Sequence, residues 1–233
     1  MLEKILEGSV LHFDKPLHWT SFDVVKKVRS LTTAKIGHAG TLDPLASGLL
    51  ILCTGRETKN IETYQAKEKE YTGSFTLGAT TLSFDLETPI NKTFDYKEIS
   101  ENEIQAASKL FTGIIEQVPP NYSALYQNGK RLYKMARNGE PIDEKKRLVE
   151  VFEFEITKIE MPEVFFRLVC GKGFYVRSLA FDFGKALQNG AYLSSLRRTR
   201  IGPFHVENAY QVGDFEKIIL EEKKLLHARS PEA

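Results

Sequence analysis

The order of hydrophobic and polar positions predicts a chain in which strands and helices alternate. A short strand is expected from Ser9 to Phe13, and apolar residues then recur at helical spacing from Ser21, a candidate N-terminal cap, to Leu31. Leu49 to Cys53 is a continuous apolar run, which is typical of a strand buried on both faces. A helix from Glu57 to Ala66 and a strand from Glu70 to Leu77 complete this part of the pattern.

The middle of the chain carries a local signal for a helix and a pair of strands. Ser100 and Glu103 have the spacing of a capping box, so a helix is predicted to begin there and to end before Gly113. Leu148 to Ile159 and Val164 to Cys170 both alternate between apolar and polar residues. We therefore expect these two segments to pair as neighbouring strands.

A last helix is predicted from Tyr175 to Leu187, with Gly190 able to end it. The chain contains no internal repeat and no low-complexity linker. These elements together predict an α/β fold of the α+β type, with a mixed, largely antiparallel central sheet flanked by helices.

A glycine-rich segment from Gly37 to Gly48 separates two of these apolar segments. Three glycines and Pro44 within twelve residues indicate a loop with a demanding backbone geometry. Asp43 is the one carboxylate in this loop, and the proline after it restricts the local chain direction. A simple turn ahead of a buried strand and a reactive carboxylate are the two interpretations of this pattern.

Composition narrows the class of protein without identifying it. At 233 residues, with 42% hydrophobic and 27% charged residues, the chain is long enough for one large or two small globular domains. It begins without an apolar leader and has no run long enough to span a bilayer, so no membrane association is expected. Cys53 and Cys170 both lie in apolar runs, which favours buried reduced thiols and a cytoplasmic location.

The net charge of +1 gives no argument for a nucleic-acid partner, but the charge is unevenly distributed. Residues 127–147 carry a local charge of +4 (seven basic, three acidic residues), residues 194–205 carry +3 (three arginines), and residues 85–103 carry −4 (six acidic, two basic residues). The basic segments are interleaved with tyrosines, a combination that RNA-binding surfaces use, although a charged segment is more often simply a solvated face. The tyrosines are Tyr122, Tyr126, Tyr133 and Tyr192.

The loop from Gly37 to Gly48 closely resembles the catalytic motif of the bacterial tRNA pseudouridine synthase B (TruB) family. The resemblance extends from about Gly8 to Phe215 and includes several separate motifs. These are Lys15-Pro16, Lys69-Glu70-Tyr71, Gln117-Val118-Pro119-Pro120, Tyr122-Ser123-Ala124, Gly173-Phe174-Tyr175-Val176-Arg177-Ser178, and Leu196-Arg197-Arg198 followed by Gly202-Pro203-Phe204.

The resemblance implies a pseudouridine synthase domain over residues 8–215, with an RNA-clamping insertion at about residues 119–147. Residues 216–233 are expected to be a short tail, without the C-terminal RNA-binding (PUA) domain of many relatives. The implied substrate is the T arm of tRNA, in which uridine 55 is isomerised by a monomer that needs no protein partner, cofactor or metal. The implied catalytic residues are Asp43, Tyr71 and Arg177, and the implied substrate-binding residues are His38, Tyr175, Leu196, Lys15, Lys130 and Arg131.

The reaction explains why such residues would be needed together. Isomerisation breaks the glycosidic C–N bond, rotates the uracil and joins its C5 to the sugar, so it requires neither redox chemistry nor net hydrolysis. By resemblance Asp43 is the nucleophile, but a carboxylate can attack C1′ or C6, or act as a base that starts elimination, and all three remain open. By the same resemblance Arg177 offsets the desolvation of this carboxylate, and Tyr71 stacks on the flipped-out uracil and handles a proton.

Three positions depart from the family pattern. His18 stands where a glycine is usual, Thr88 replaces a glycine after Asp85, and Tyr126 replaces a lysine. The resemblance implies that Asp85 helps to remodel the RNA, and that Tyr126 exchanges a phosphate contact for a stack. The alternative functions are a guide-dependent synthase of the dyskerin type, an RNA chaperone without chemistry, and a nucleoside or glycoside hydrolase. A hydrolase would need a second carboxylate to activate water, and no motif for one is recognisable in this sequence.

Overall fold

The computed structural model describes residues 1–143 and 145–229; Glu144, which contributes to the charge of the basic segment, lies outside this range. The chain divides into two compact units, the first formed by Met1–Lys69 and the chain from Arg197 onward, the second by Glu70–Leu196. The α-helices are α1 (Leu2–Glu7), α2 (Ser21–Thr32), α3 (Ile61–Ala66), α4 (Glu101–Ser108), α5 (Leu132–Arg137), α6 (Val176–Ala186) and α7 (Val212–Arg229). Short 3₁₀ helices cover Gly55–Asn60, Lys109–Phe111 and Val206–Asn208.

The strands alternate with these helices along the chain. They are β1 (Val10–Lys15), β2 (Ile36–His38), β3 (Ala46–Thr54), β4 (Lys69–Leu77), β5 (Ala79–Thr81), β6 (Ile90–Thr93), β7 (Gly113–Gln117), β8 (Tyr126–Gln127), β9 (Lys130–Arg131), β10 (Arg147–Glu160), β11 (Glu163–Cys170), β12 (Ala191–Ile201), β13 (Phe204–His205) and β14 (Tyr210–Gln211).

In the first unit the strand order is β14-β1-β3-β12, with β2 also on β3 and β13 on β12. The β1–β14 pair is parallel, whereas β1 and β2 both run antiparallel to β3. In the second unit the order is β12-β4-β11-β10-β7, and β10 is antiparallel to both of its neighbours. The predicted mixed, largely antiparallel sheet with flanking helices is therefore confirmed.

Strand β3 serves two hydrophobic cores at once. Leu50 and Leu52 pack with residues of α2 and α7, whereas Leu49, Ile51 and Cys53 pack with a second group on the other face. All five side chains are fully buried. Because both faces of the strand are covered, the sequence shows a continuous apolar run and no alternation.

Two predicted helix ends are shifted in the structure. The N-terminal cap of α2 is Thr20, which forms a capping box with Asp23, because this pair offers the same chemistry one residue before Ser21. Helix α6 ends at Ala186, and Gln188 adopts the left-handed conformation (φ 52°) that we expected further on. Gly190 has a packing role instead, since a Cβ there would lie 2.5 Å from the Phe94 ring.

Residues 216–229, predicted as part of a tail, belong to helix α7 of the first unit. Phe215 and Ile219, one turn apart on this helix, are fully buried in the core with α2. Burial of this face anchors the helix against the first unit, and the predicted boundary after Phe215 stays a prediction.

The second unit has an aromatic core between its strands and helices α4 and α6. Phe75 stacks on Phe166 with ring centres 4.4 Å apart, and Phe183 of α6 packs at 5.5 Å from Phe75. Ser100 and Glu103 form the predicted capping box at the start of α4. None of the described helices combines the length and apolar character needed to cross a membrane.

Candidate active site

The loop that carries Asp43 is fixed to the first unit on both sides of this residue. The Ser21 hydroxyl accepts a hydrogen bond from the Leu42 N–H (2.8 Å) and donates to the Leu42 carbonyl (3.1 Å). The His18 N–H donates to the carbonyl of Pro44 (2.7 Å). Because the neighbours on either side are held, the half-buried Asp43 side chain leaves a backbone of defined direction.

His18 has a left-handed backbone, with φ 65°. This is the conformation for which glycine is usually chosen, which explains why its position in the family pattern carries a glycine. Here the histidine adopts the same conformation and keeps the hydrogen bond to Pro44, so the departure from the pattern preserves the turn.

Arg198 joins the two ends of the same loop. Its guanidinium donates from Nε to the Leu49 carbonyl (2.7 Å) and from a terminal nitrogen to the Gly40 carbonyl (3.1 Å). The side chain is 1% exposed. Gly48 permits this approach, since a Cβ there would lie 2.3 Å from the Arg198 carbonyl oxygen.

Replacing Arg198 with leucine should destabilise the protein by about 2 kcal/mol or more, because two buried carbonyls lose their donors. We expect a lower midpoint in urea unfolding and a slower isomerisation rate in the fraction that remains folded. Arg200→Leu is the control, since its partner Glu68 is 42% exposed and can be rehydrated. Equal losses in both variants would contradict a special role for Arg198 in holding the loop.

Lys15 is fully buried beside this loop. Its ammonium donates to the carbonyls of Trp19 (2.6 Å) and Pro16 (3.0 Å). Burial lowers the pKa of Lys15 to about 8; the positive charge of Arg198 acts in the same direction, and the carboxylate of Asp43 opposes it. These contacts favour a supporting role for Lys15 over the direct contact with RNA that the resemblance implied.

The burial of Lys15 should make the folded chain more stable as the pH rises from about 8 to about 10. The pKa of Lys15 is about 8 in the fold against an ordinary value of 10.5, so in this window the unfolded chain holds the additional proton. Between about pH 8 and about pH 10, the free energy of unfolding of the wild-type protein should therefore rise by about 2 kcal/mol more than that of Lys15→Met. Urea unfolding at both pH values measures this difference. Equal gains in the two proteins would contradict this interpretation.

His38 lies at the end of β2. Its Nδ1 is buried without a hydrogen-bond partner among the described residues. Burial lowers the pKa of His38 and the positive charge of Arg198 lowers it further, whereas the nearby backbone of Gly40 acts in the opposite direction. A contact of His38 with RNA, still a prediction, would therefore be made by a neutral ring at pH 7.

In the second unit, Arg177 lies in the first turn of α6 and is 4% exposed. One terminal nitrogen donates to the carbonyls of Tyr122 (3.0 Å) and Ser83 (3.4 Å), and Nε lies 3.6 Å from a carboxylate oxygen of Asp85. The other oxygen of Asp85 accepts the Glu87 N–H at 2.9 Å. Asp85 thus helps to fix the orientation of the guanidinium.

The start of α6 is held by Gln117, a buried residue to which the sequence assigned no role. Its side-chain amide accepts from the Tyr175 N–H (2.8 Å) and donates to the Tyr175 carbonyl (3.0 Å). The following Ser178 hydroxyl donates to the carbonyl of Val118 (2.6 Å). These bonds fix the backbone that presents both Tyr175 and Arg177.

Tyr71 and Leu196 pack against the aromatic core of the second unit and are only partly buried. Lys130 forms an ion pair with Glu140 (2.8 Å), and the Arg131 guanidinium lies 4.0 Å from the centre of the Tyr126 ring. The Tyr126 side chain remains 62% exposed, so it can still offer a stacking surface.

The second basic segment, residues 194–205, uses its charge within the first unit. Arg197 forms a bidentate pair with Asp14 (2.7 and 3.0 Å), Arg200 pairs with Glu68 (2.6 Å), and Arg198 bonds to carbonyls. These arginines are therefore poor candidates for neutralising phosphates, which favours the structural of the two interpretations of this segment. Within the described residues no cluster of His, Cys, Asp and Glu could hold a metal ion.

The predicted site residues fall into two groups. Asp43, Lys15 and His38 belong to the first unit, and the others belong to the second: Tyr71, Tyr175, Arg177, Leu196, Lys130 and Arg131. An ion pair between Asp43 and Arg177 stays a prediction. The sequence motifs include Arg198 and Gln117 but gave neither a supporting role, because no local pattern separates a buried partner from a surface residue.

Comparisons with known proteins bear on the whole chain. Residues 28–176 match the TruB family pseudouridylate synthase (N terminal domain), and residues 177–229 match the tRNA pseudouridylate synthase B C-terminal domain. The tRNA pseudouridine synthase B of Flavobacterium johnsoniae is 52% identical over 92% of this chain and 97% of its own length. The corresponding protein of Phocaeicola vulgatus is 47% identical over 90% and 92% of the two chains.

Solved structures give the same result for the fold. A chain of a Cbf5-Nop10-Gar1 complex superposes with a TM-score of 0.73 and 29% identity, covering 93% of this chain and 56% of that one. A chain of an H/ACA RNP bound to a substrate RNA containing 2′-deoxyuridine superposes with a TM-score of 0.72 and 28% identity, covering 95% of this chain and 56% of that one. This chain thus spans little more than half of those proteins. From the two family models and the relatives matched over nearly their full length, the chain belongs to the TruB family of pseudouridylate synthases.

Proposed function

We propose that this protein is a cytoplasmic tRNA pseudouridine synthase that isomerises uridine 55 in the T loop. The observation that carries the proposal is the position of Asp43, on a loop whose backbone is held by Ser21, His18 and Arg198, in a chain of the TruB family. Such rigidity suits a reactive carboxylate, because catalysis depends on groups held in place before the substrate arrives.

The target uridine must leave its stack to reach this loop, at a cost of about a few kcal/mol. Tyr71 then offers an aromatic face, which returns about 1–3 kcal/mol by stacking. Asp43 acts on the extruded nucleotide, while Arg177, oriented by Asp85, supplies positive charge to the site. The C1′–N1 bond breaks, the uracil rotates and a C1′–C5 bond forms, while C5 loses a proton and N1 gains one, so atoms balance without a cofactor.

The extent of similarity favours a tRNA substrate over guide-dependent modification. The relative named tRNA pseudouridine synthase B matches at 52% identity over 97% of its length, whereas the Cbf5 chain matches at 29% over 56%. An RNA chaperone that refolds the T arm without chemistry would have no need of the fixed loop around Asp43.

The direct test uses tRNA transcripts labelled with tritium at C5 of uridine. The purified protein should release tritium stoichiometrically with one uridine per tRNA, and mapping should place pseudouridine at position 55. An isolated T-arm stem-loop should be modified almost as efficiently as the full transcript. Absence of release, or pseudouridine at another position only, would contradict the proposed function.

The basic insertion should supply much of the grip on RNA. Lys145, Lys146 and Arg147 are exposed, and the glutamate paired with Lys146, Glu116, is itself 60% exposed and easily exchanged for a phosphate. Changing all three to alanine should weaken binding and flatten its dependence on salt, by about 0.7–0.9 in log–log slope per lost phosphate contact.

Affinity for the T-arm stem-loop measured across a salt series tests this prediction. The control changes three other exposed lysines, Lys97, Lys109 and Lys158, to alanine, which removes the same charge outside the insertion. Equal slopes for the two triple variants would show that the insertion makes no specific phosphate contacts.

A further inference from the structure

Phe84 has a backbone conformation that bulky residues rarely adopt. Its φ angle is 64°, in the left-handed region that favours glycine or asparagine. Such a conformation persists only where the surroundings impose it, and it is most often found at functional sites. The surroundings of Phe84 therefore need an explanation.

The residues on either side of Phe84 both face the guanidinium of Arg177. The Ser83 carbonyl lies 3.4 Å from one terminal nitrogen, and the Asp85 carboxylate lies 3.6 Å from Nε. The left-handed turn at Phe84 lets polar groups of the residues before and after it approach the same side chain. The Leu193 N–H donates to the Phe84 carbonyl (2.9 Å) and holds the turn against β12.

The ring of Phe84 stacks on Phe181, with ring centres 4.2 Å apart and planes within 15°. Phe181 lies on α6 four residues after Arg177, so it projects from the same face one turn further along. The ammonium of Lys185, another turn along, lies 4.5 Å from the centre of the Phe181 ring. The stack thus joins the turn at Phe84 to the helix that carries Arg177.

Other contacts brace the turn within its own loop. The Thr81 hydroxyl donates to the Asp85 carbonyl (2.6 Å), and the Ser83 hydroxyl lies 2.9 Å from that of Thr88. These bonds fix the loop internally, and Thr88 takes part in them through its hydroxyl. The aromatic stack has a different effect, because it sets the distance between the loop and α6.

We propose that Phe84 is a positioning residue, whose stack on Phe181 holds the left-handed turn that keeps Ser83 and Asp85 on Arg177. This role rests on the proposed function, in which Arg177 supplies charge to the isomerisation site. Loss of the stack frees the turn and lets the guanidinium take other orientations, which lowers turnover without removing an RNA contact.

Two substitutions separate the ring from the backbone conformation. Phe84→Asn keeps a residue that tolerates the left-handed region but removes the stack, and Phe84→Tyr keeps the stack. For the T-arm stem-loop we expect Phe84→Asn to lower kcat by about tenfold or more with KM within about threefold, and Phe84→Tyr to remain within about twofold of wild type. Leu86→Asn, the same kind of change at a residue that is 53% exposed in this loop, is the control and should leave kcat unchanged.

A double-mutant cycle tests whether Phe84 acts through Asp85. If it does, adding Phe84→Asn to Asp85→Asn should change kcat by less than about twofold, whereas independent effects would multiply and overturn the proposal. Phe181→Leu removes the stack from the other side and should reproduce the loss, which keeps the test decisive if Phe84→Asn does not fold. If the wild-type protein is active and Phe84→Asn has the same kcat, the positioning role of Phe84 is overturned and the proposed function stands. If the wild-type protein itself is inactive, the proposed function is overturned, and the role of Phe84 with it.

Discussion

Asp43→Asn is expected to abolish the conversion of uridine to pseudouridine while leaving the affinity for tRNA within about threefold of wild type. Asparagine keeps the size of the side chain and most of its hydrogen bonding but removes the negative charge that a nucleophile or base requires. A loss of several orders of magnitude corresponds to at least about 4 kcal/mol of additional barrier. Single-turnover tritium release and a binding assay measure the two quantities separately.

The matched control for this prediction is Asp95→Asn, which changes an exposed aspartate that accepts one backbone hydrogen bond from Lys97. It should leave both rate and affinity unchanged. Activity of Asp43→Asn within tenfold of wild type would remove Asp43 from the chemistry, and parallel losses of rate and affinity would indicate damage to the loop.

Arg177→Lys is expected to lower kcat by about a hundredfold or more. The guanidinium reaches Tyr122, Ser83 and Asp85 from two of its nitrogens, and a lysine has a single nitrogen and no planar fork with which to meet them. Asp85 is 4% exposed, so its carboxylate would also lose a buried partner. A lower midpoint in urea unfolding should accompany the loss of activity.

Arg167→Lys provides the comparison in the same unit. Arg167 pairs with Glu70 and Glu153 and is 33% exposed, so a lysine can keep much of its interaction. We expect little change in kcat for this variant. Normal turnover in Arg177→Lys would show that the orientation of the guanidinium has no part in the reaction.

The sequence predicted those elements whose signal is local. The apolar run of β3 and the capping box at Ser100 depend on neighbouring residues, and both are confirmed. The cap of α2 was misplaced because Thr20 and Ser21 have nearly equal capping chemistry. The local Thr20–Asp23 capping box selects Thr20, and Ser21 bonds instead to Leu42.

The parts of the site that could not be predicted depend on burial. Arg197, Arg198 and Arg200 are indistinguishable in sequence, yet only Arg198 lies at 1% exposure with two carbonyls to satisfy, while the others pair with carboxylates. The same reasoning applies to α7, because its apolar residues indicate a packed face only when a partner helix is known. Asp43 and Arg177 were found by resemblance, and their roles remain predictions.

The double burial of β3 has a consequence for how this protein can evolve. A strand with one solvated face can accept polar changes at every second position, but Leu49 to Cys53 has no such position. Each substitution must keep the side-chain volume that fits the core on its own face of β3. An inserted residue would turn the side chains that follow it to the opposite core. We therefore expect sequence drift to be slow directly after the loop that carries Asp43, so that this segment stays alignable in very distant homologues where residues 119–147 no longer do.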